Sequence, residues 1–156
     1  LVDAAMGTYY KKHPGDKEIL GGLIHDTNCP FGIMNNCVAF SQWFINAYTT
    51  AGPWRSTTNG VGVAKKVAGD LGLDTGSKPR PYAIFSHAGP SAAGHTGVIL
   101  GVDEKQKKVV IGEASCSFGR SAMYYAPHAV EKSFSEISTW NYAYTDKVIK
   151  TDALKD

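Results

Sequence analysis

Three residues in this chain stand where nucleophilic chemistry would need them: a cysteine at a helix start, a histidine at a strand start and an acid at a strand end. Cys37 follows turn residues Pro30, Gly32 and the pair Asn35-Asn36, and apolar residues then recur at Phe40, Phe44 and Tyr48, with Val38, Ile45 and Ala47 thickening the stripe. Spacings of three and four predict an amphipathic helix with that stripe in the core, and the turn chemistry puts its first residue at or beside Cys37. At a helix N-terminus the unpaired N–H groups and the positive end of the macrodipole favour thiolate over thiol and can receive a developing oxyanion. Cys37 therefore reads as a nucleophile, set against the commoner role of a cysteine as a small buried apolar side chain.

A thiol nucleophile needs a base within hydrogen-bonding reach and a third group to orient that base. His13 and His25 lie in an irregular N-terminal region and His128 follows Pro127 in a late loop, so each reads as a surface residue. His87 and His95 flank residues 88–94, a small-residue loop suited to a cleft rim. His95 is the better candidate. It leads into Thr96-Gly97-Val98-Ile99-Leu100, and a strand start with glycine neighbours is a rigid mount with room beside the ring. The alternative for His95 is a histidine merely packed at a sheet end. Glu113 is the only acid in Lys108-Val109-Val110-Ile111-Gly112-Glu113-Ala114. Antiparallel pairing of residues 94–102 with 108–114 through the polar hairpin 103–107 returns Glu113 towards His95. Ser115 either adds a hydroxyl to that network or is an ordinary turn serine.

The elements that must position these residues follow from the pattern. Residues 1–12 fit a short helix ended by Pro14 and Gly15, and residues 19–24, broken by Gly21-Gly22, read as irregular. Thr58 or Asn59 can cap a helix bearing Val63, Val67 and Leu71 on one face and closed by Gly72. Beyond Lys78-Pro79-Arg80-Pro81 the pattern becomes strands: residues 82–86, 94–102 and 108–114, with further ones near 122–125 and 139–144. Helices first and antiparallel strands afterwards predict an α+β domain.

With 156 residues the chain is long enough for one domain with one core, and its 17 glycines and 19% charged residues describe a turn-rich globular protein, not a disordered one. Basic residues exceed acidic ones by two, too few to argue for nucleic acid, while a pI near 8.4 does not oppose an anionic surface. No apolar run is long enough to span a bilayer. The chain starts at Leu1 without methionine, which predicts a piece of a longer polypeptide with flanking domains. Of the three cysteines, Cys29 and Cys116 are the candidate disulfide pair if Cys37 is the reactive thiol; two unpaired buried thiols are equally compatible. Asp26-Thr27-Asn28 superficially suggests calcium but lacks the further carboxylates of a calcium loop.

Asn36-Cys37 opening a helix, Gly94-His95-Thr96-Gly97-Val98 opening a strand and Glu113 ending the next strand resemble the CHAP family of cysteine, histidine-dependent amidohydrolases and peptidases. The resemblance runs over roughly residues 29 to 145, and the order and spacing of the three motifs carry it together. It implies a papain-like (NlpC/P60-like) α+β fold, with N-terminal helices packed on an antiparallel sheet. It divides the chain into an extension over residues 1–28, a catalytic domain over 29–146 and a tail or linker start over 147–156. The implied activity is cleavage of amide bonds in peptidoglycan, outside the cell or at the wall, as in phage endolysins, autolysins and the wall hydrolases of Gram-positive conjugation systems. By position, Cys37 would be nucleophile, His95 general base and acid, and Glu113 the orienting carboxylate.

Two positions depart from the family pattern. Asn36 stands where many members carry glutamine and Ser115 where they carry asparagine; the shorter Asn36 leaves the Cys37 backbone N–H as the expected oxyanion donor. Some phage members bind calcium through aspartates around the cysteine; Pro30, Gly32, Met34 and Ala39 fill that neighbourhood here, so no metal and no cofactor is expected. Trp54, Trp140, Tyr124 and Tyr125 are candidates to line a substrate groove, against the commoner role of aromatics as core. Competing with the hydrolase are a catalytically weak wall-binding or assembly module of a secretion or conjugation apparatus, and a papain-like protease acting on proteins.

Overall fold

A computed structural model of the chain describes residues 37–56, 58–89, 92–114 and 128–150. Helix α1 (Cys37–Tyr48) begins at the cysteine, as its turn residues and periodicity predict. It is buried on more than a stripe, because Ala39 through Ile45 are all buried, Ser41 and Gln42 included. A helix apolar nearly all round belongs inside a domain, and its two polar side chains must find partners there. They do so: the Ser41 hydroxyl bonds the Thr96 hydroxyl at 2.9 Å, and Gln42 Oε1 accepts the Ser56 N–H at 3.0 Å.

A 3-10 turn (Gly60–Gly62) leads into helix α2 (Val63–Leu71), which presents Val63, Ala64, Val67 and Ala68 to the core and ends at Gly72, whose φ of 69° is the left-handed conformation that a glycine adopts freely. The N-cap is Gly62, not Thr58 or Asn59. Among the described residues six strands follow: β1 (Thr75–Gly76), β2 (Ile84–His87), β3 (His95–Asp103), β4 (Lys108–Glu113), β5 (His128–Ser133) and β6 (Asn141–Ala143). They form one antiparallel sheet in the order β1-β6-β2-β3-β4-β5. His128 opens β5 instead of lying in a loop, because it pairs with Glu113 across β4 and β5. The expected N-terminal helix and the strand near 122–125 lie outside the described residues.

One face of the sheet packs on the helices, where Ile84, Val98 and Ala143 meet Phe40, Phe44, Val63 and Val67. The other face carries Phe85, Ile99, Val109, Ile111, Trp140 and Tyr142. Alternation along the strands produces the division: Ile84 and Ser86 look to the helices, where Ser86 accepts the Ala64 N–H at 2.8 Å, while Phe85 looks away. After Tyr144 the chain returns to the end of α1, where the Lys150 N–H donates to the Tyr48 carbonyl and the Thr50 N–H to the Val148 carbonyl, each at 2.7 Å. Among the described residues no helix is long and apolar enough to cross a membrane.

Candidate active site

His95 is the first residue of β3 and Glu113 the last of β4, so the β3–β4 hairpin carries both to one end of the sheet. His95 Nε2–H donates to Glu113 Oε1 at 3.0 Å. A β-bulge makes this meeting possible. Near the turn Val102 faces Val109 and Gly101 faces Val110, but past Leu100 the register shifts so that Ile99 faces Ile111 and Val98 faces Gly112. In the unshifted register Glu113 would oppose Val98, and His95 would fall on the other face of the pleat from Glu113. The extra residue on β3 puts Gly97 opposite Glu113 instead, and Gly97 lies two residues from His95 on the same side of the pleat. Gly97 is needed there: a Cβ on it would collide with the Gly112 carbonyl oxygen and come within 2.6 Å of the Phe85 ring.

Both partners are removed from water, His95 being 2% and Glu113 5% exposed. Burial alone would lower the histidine's pKa, but hydrogen bonds to Cys37 and Glu113 and the charges of the same two groups outweigh it and push His95 up to about 9. The ring therefore carries two protons near neutral pH. Cys37, partly exposed and free, supplies one of those hydrogen bonds from the first turn of α1. With Nε2 committed to Glu113, Nδ1 is the ring nitrogen left to serve Cys37.

Two contacts fix the mount. Thr96 donates its hydroxyl to the Phe85 carbonyl at 2.6 Å and meets Ser41 of α1, so the strand that carries His95 is tied to the helix that carries Cys37. Gly60 lies flat on the His95 backbone; a Cβ there would stand 2.9 Å from His95 Cα. The fold thus brings together Cys37, His95 and Glu113. Asn36, Ser115, Cys29 and Cys116 lie outside the described residues, as do Tyr124 and Tyr125. Trp54 and Trp140 are core: Trp54 is buried and donates its indole N–H to Asp70 at 3.0 Å, and Trp140 stacks on Phe85. The bulge at Leu100 and the contact of Gly60 on His95 were not foreseen from sequence, since no local motif encodes a register shift or a backbone contact between distant segments.

The fold defines an α+β class: a buried helix and a second helix laid on one face of an antiparallel sheet. Solved structures share it. An N-acetylmuramoyl-L-alanine amidase from Staphylococcus aureus superposes with a TM-score of 0.54 at 13% identity, over 72% of this chain and 31% of that one. Ly7917, solved with the hydrolyzing product of MDP, superposes with a TM-score of 0.50 at 12% identity, over 71% of this chain and 53% of its own. This chain therefore matches about a third and about half of the lengths of those two proteins. Identities so low speak to fold alone. No family model and no curated protein matches the sequence.

Proposed function

We propose that this chain is a peptidoglycan amidohydrolase of CHAP type, with a papain-like fold and a cysteine nucleophile. The observation that carries the reading is the buried His95–Glu113 hydrogen bond with Cys37 at the helix start hydrogen-bonded to the same imidazole. Cys37, as thiolate paired with the His95 imidazolium, attacks the carbonyl carbon of an amide, and the oxyanion forms beside the Cys37 backbone N–H. The C–N bond breaks as His95 gives its Nδ1 proton to the leaving amine, which leaves a thioester on Cys37 and a neutral ring. That ring takes a proton from water, hydroxide attacks the thioester, and the thiolate–imidazolium pair returns with release of a carboxylate. Glu113 accepts the Nε2–H throughout, which fixes the tautomer and steadies the imidazolium.

The substrate class rests on the family resemblance, with support from the fold shared with the Staphylococcus aureus amidase. The bond cut is an N-acetylmuramoyl-L-alanine amide or a peptide-stem amide, and the place of action is the wall or the extracellular space. Digestion of purified Gram-positive peptidoglycan beside casein, with released ends identified by mass spectrometry, tests this. A new muramic acid end or a new peptide amine from the wall alone is the expected outcome. Cleavage of casein alone would make the chain a protein-directed protease, and release from neither would favour a wall-binding module.

A further inference from the structure

One titratable ring next to this site has no part in the steps above. His87 is the register partner of His95 across β2 and β3, so both rings rise from the same face of the sheet. The His87 ring lies flat on Trp140, with centroids 4.2 Å apart and planes 2° from parallel. It meets the His95 ring edge to face, at 5.5 Å between centroids and 78° between planes. Its Nδ1 lies 3.2 Å from the Ala88 carbonyl oxygen, and because a carbonyl only accepts, Nδ1 carries the proton. Phe85 completes the cluster, 4.4 Å from Trp140 and 5.8 Å from His95 by ring centroids. Trp140 is itself buried, so the wall behind His87 is core and does not move with solvent.

We propose that His87 is a positioning residue: its flat ring, backed by Trp140 and tethered to Ala88, holds the His95 imidazole in the orientation that serves Cys37 and Glu113 at once. The inference rests on the cysteine hydrolase reading of the site. An imidazole can still rock about χ2 and about its hydrogen bonds, and proton transfer is sensitive to small misplacements. A ring packed edge to face against it removes that freedom. The wall must also be uncharged, since a second cation at this distance would oppose the imidazolium. Burial, and after it the charge of His95, hold His87 below the ordinary histidine range, with Lys132 of β5 acting in the same direction and the Ala88 carbonyl and Glu113 of β4 against it. Ring shape, not a proton, is therefore what His87 supplies, and phenylalanine should supply it too.

Three variants separate shape from polarity: His87→Phe keeps a flat ring, His87→Gln keeps a polar group without one, and His87→Ala removes both. Alkylation by iodoacetamide, followed on the Cys37 peptide by mass spectrometry, reports the thiolate–imidazolium pair with no wall substrate present. Release of wall fragments gives kcat and KM. His87→Ala and His87→Gln should lower kcat by about tenfold or more with KM changed less than about twofold, and slow Cys37 alkylation in step. His87→Phe should bring both rates back to within about threefold of wild type. Wild-type alkylation by the glutamine variant, or failure of phenylalanine to restore what glutamine loses, would overturn the role, and this comparison stands even if the alanine variant does not fold. If wild-type protein releases nothing from the wall, the hydrolase reading fails, while the alkylation rates still decide whether His87 positions His95.

Discussion

At the scale of single residues, the site is a competition between burial and pairing at His95. Burial opposes the imidazolium, and Cys37 and Glu113 together reverse the outcome. Two consequences follow from a folded pKa near 9 against an unfolded value near 6.5. The raised value contributes stability that is fully present below about pH 6.5 and lost as the pH rises through about 9, so the melting temperature should fall over that interval. Turnover should fall as the pH rises through about 9, because the ion pair disappears with the imidazolium proton. Glu113→Gln should keep some activity, reduced roughly 10²-fold, since an amide oxygen still accepts the Nε2–H but stabilises the imidazolium less. The alkaline limb of its pH profile should move to lower pH; an unmoved limb with full activity would assign the orienting role elsewhere. Cys37→Ala should fold and show no turnover, checked by circular dichroism and fragment release.

At the scale of elements, the sequence made the parts legible and left their register hidden. The start of α1 at Cys37 was readable from turn residues followed by a three-four apolar spacing, and the end of α2 from Gly72. The β3–β4 hairpin was readable from two apolar runs around a polar turn. The bulge at Leu100 was not, because one unpaired residue changes no local composition, yet it decides whether His95 shares a face with Glu113. The full burial of α1 was hidden for a related reason: Ser41 and Gln42 look like a solvent face until Thr96 and Ser56, distant in sequence, are seen to satisfy them. Thr96→Val, close to isosteric, would leave Ser41 without that partner and take the hydroxyl donor from the Phe85 carbonyl; it should cost about 1–3 kcal/mol by denaturant unfolding. Gly97→Ala should cost at least as much, about 1–3 kcal/mol from overpacking, and should also weaken the His95–Glu113 bond by pushing the strands apart, seen as a lowered His95 pKa by NMR titration.

At the scale of the whole molecule, a sheet with a helical layer on one face carries the site at one end, where a helix N-terminus, a strand start and a strand end converge. The architecture uses rigid elements for all three mounts and leaves only Cys37 of the three partly exposed, an arrangement that fits the proposed roles of an accessible nucleophile and a dry base. The chain spans about a third and about half of the lengths of the two solved proteins that share its fold. The most direct measurement is the intact mass of the protein quenched in acid during reaction with a soluble muropeptide, followed by peptide mapping. A transient acyl adduct on the Cys37 peptide, absent from Cys37→Ala, is the predicted result. Fragment release that persists in Cys37→Ala, with no adduct on the wild-type cysteine, would contradict a cysteine nucleophile in this fold.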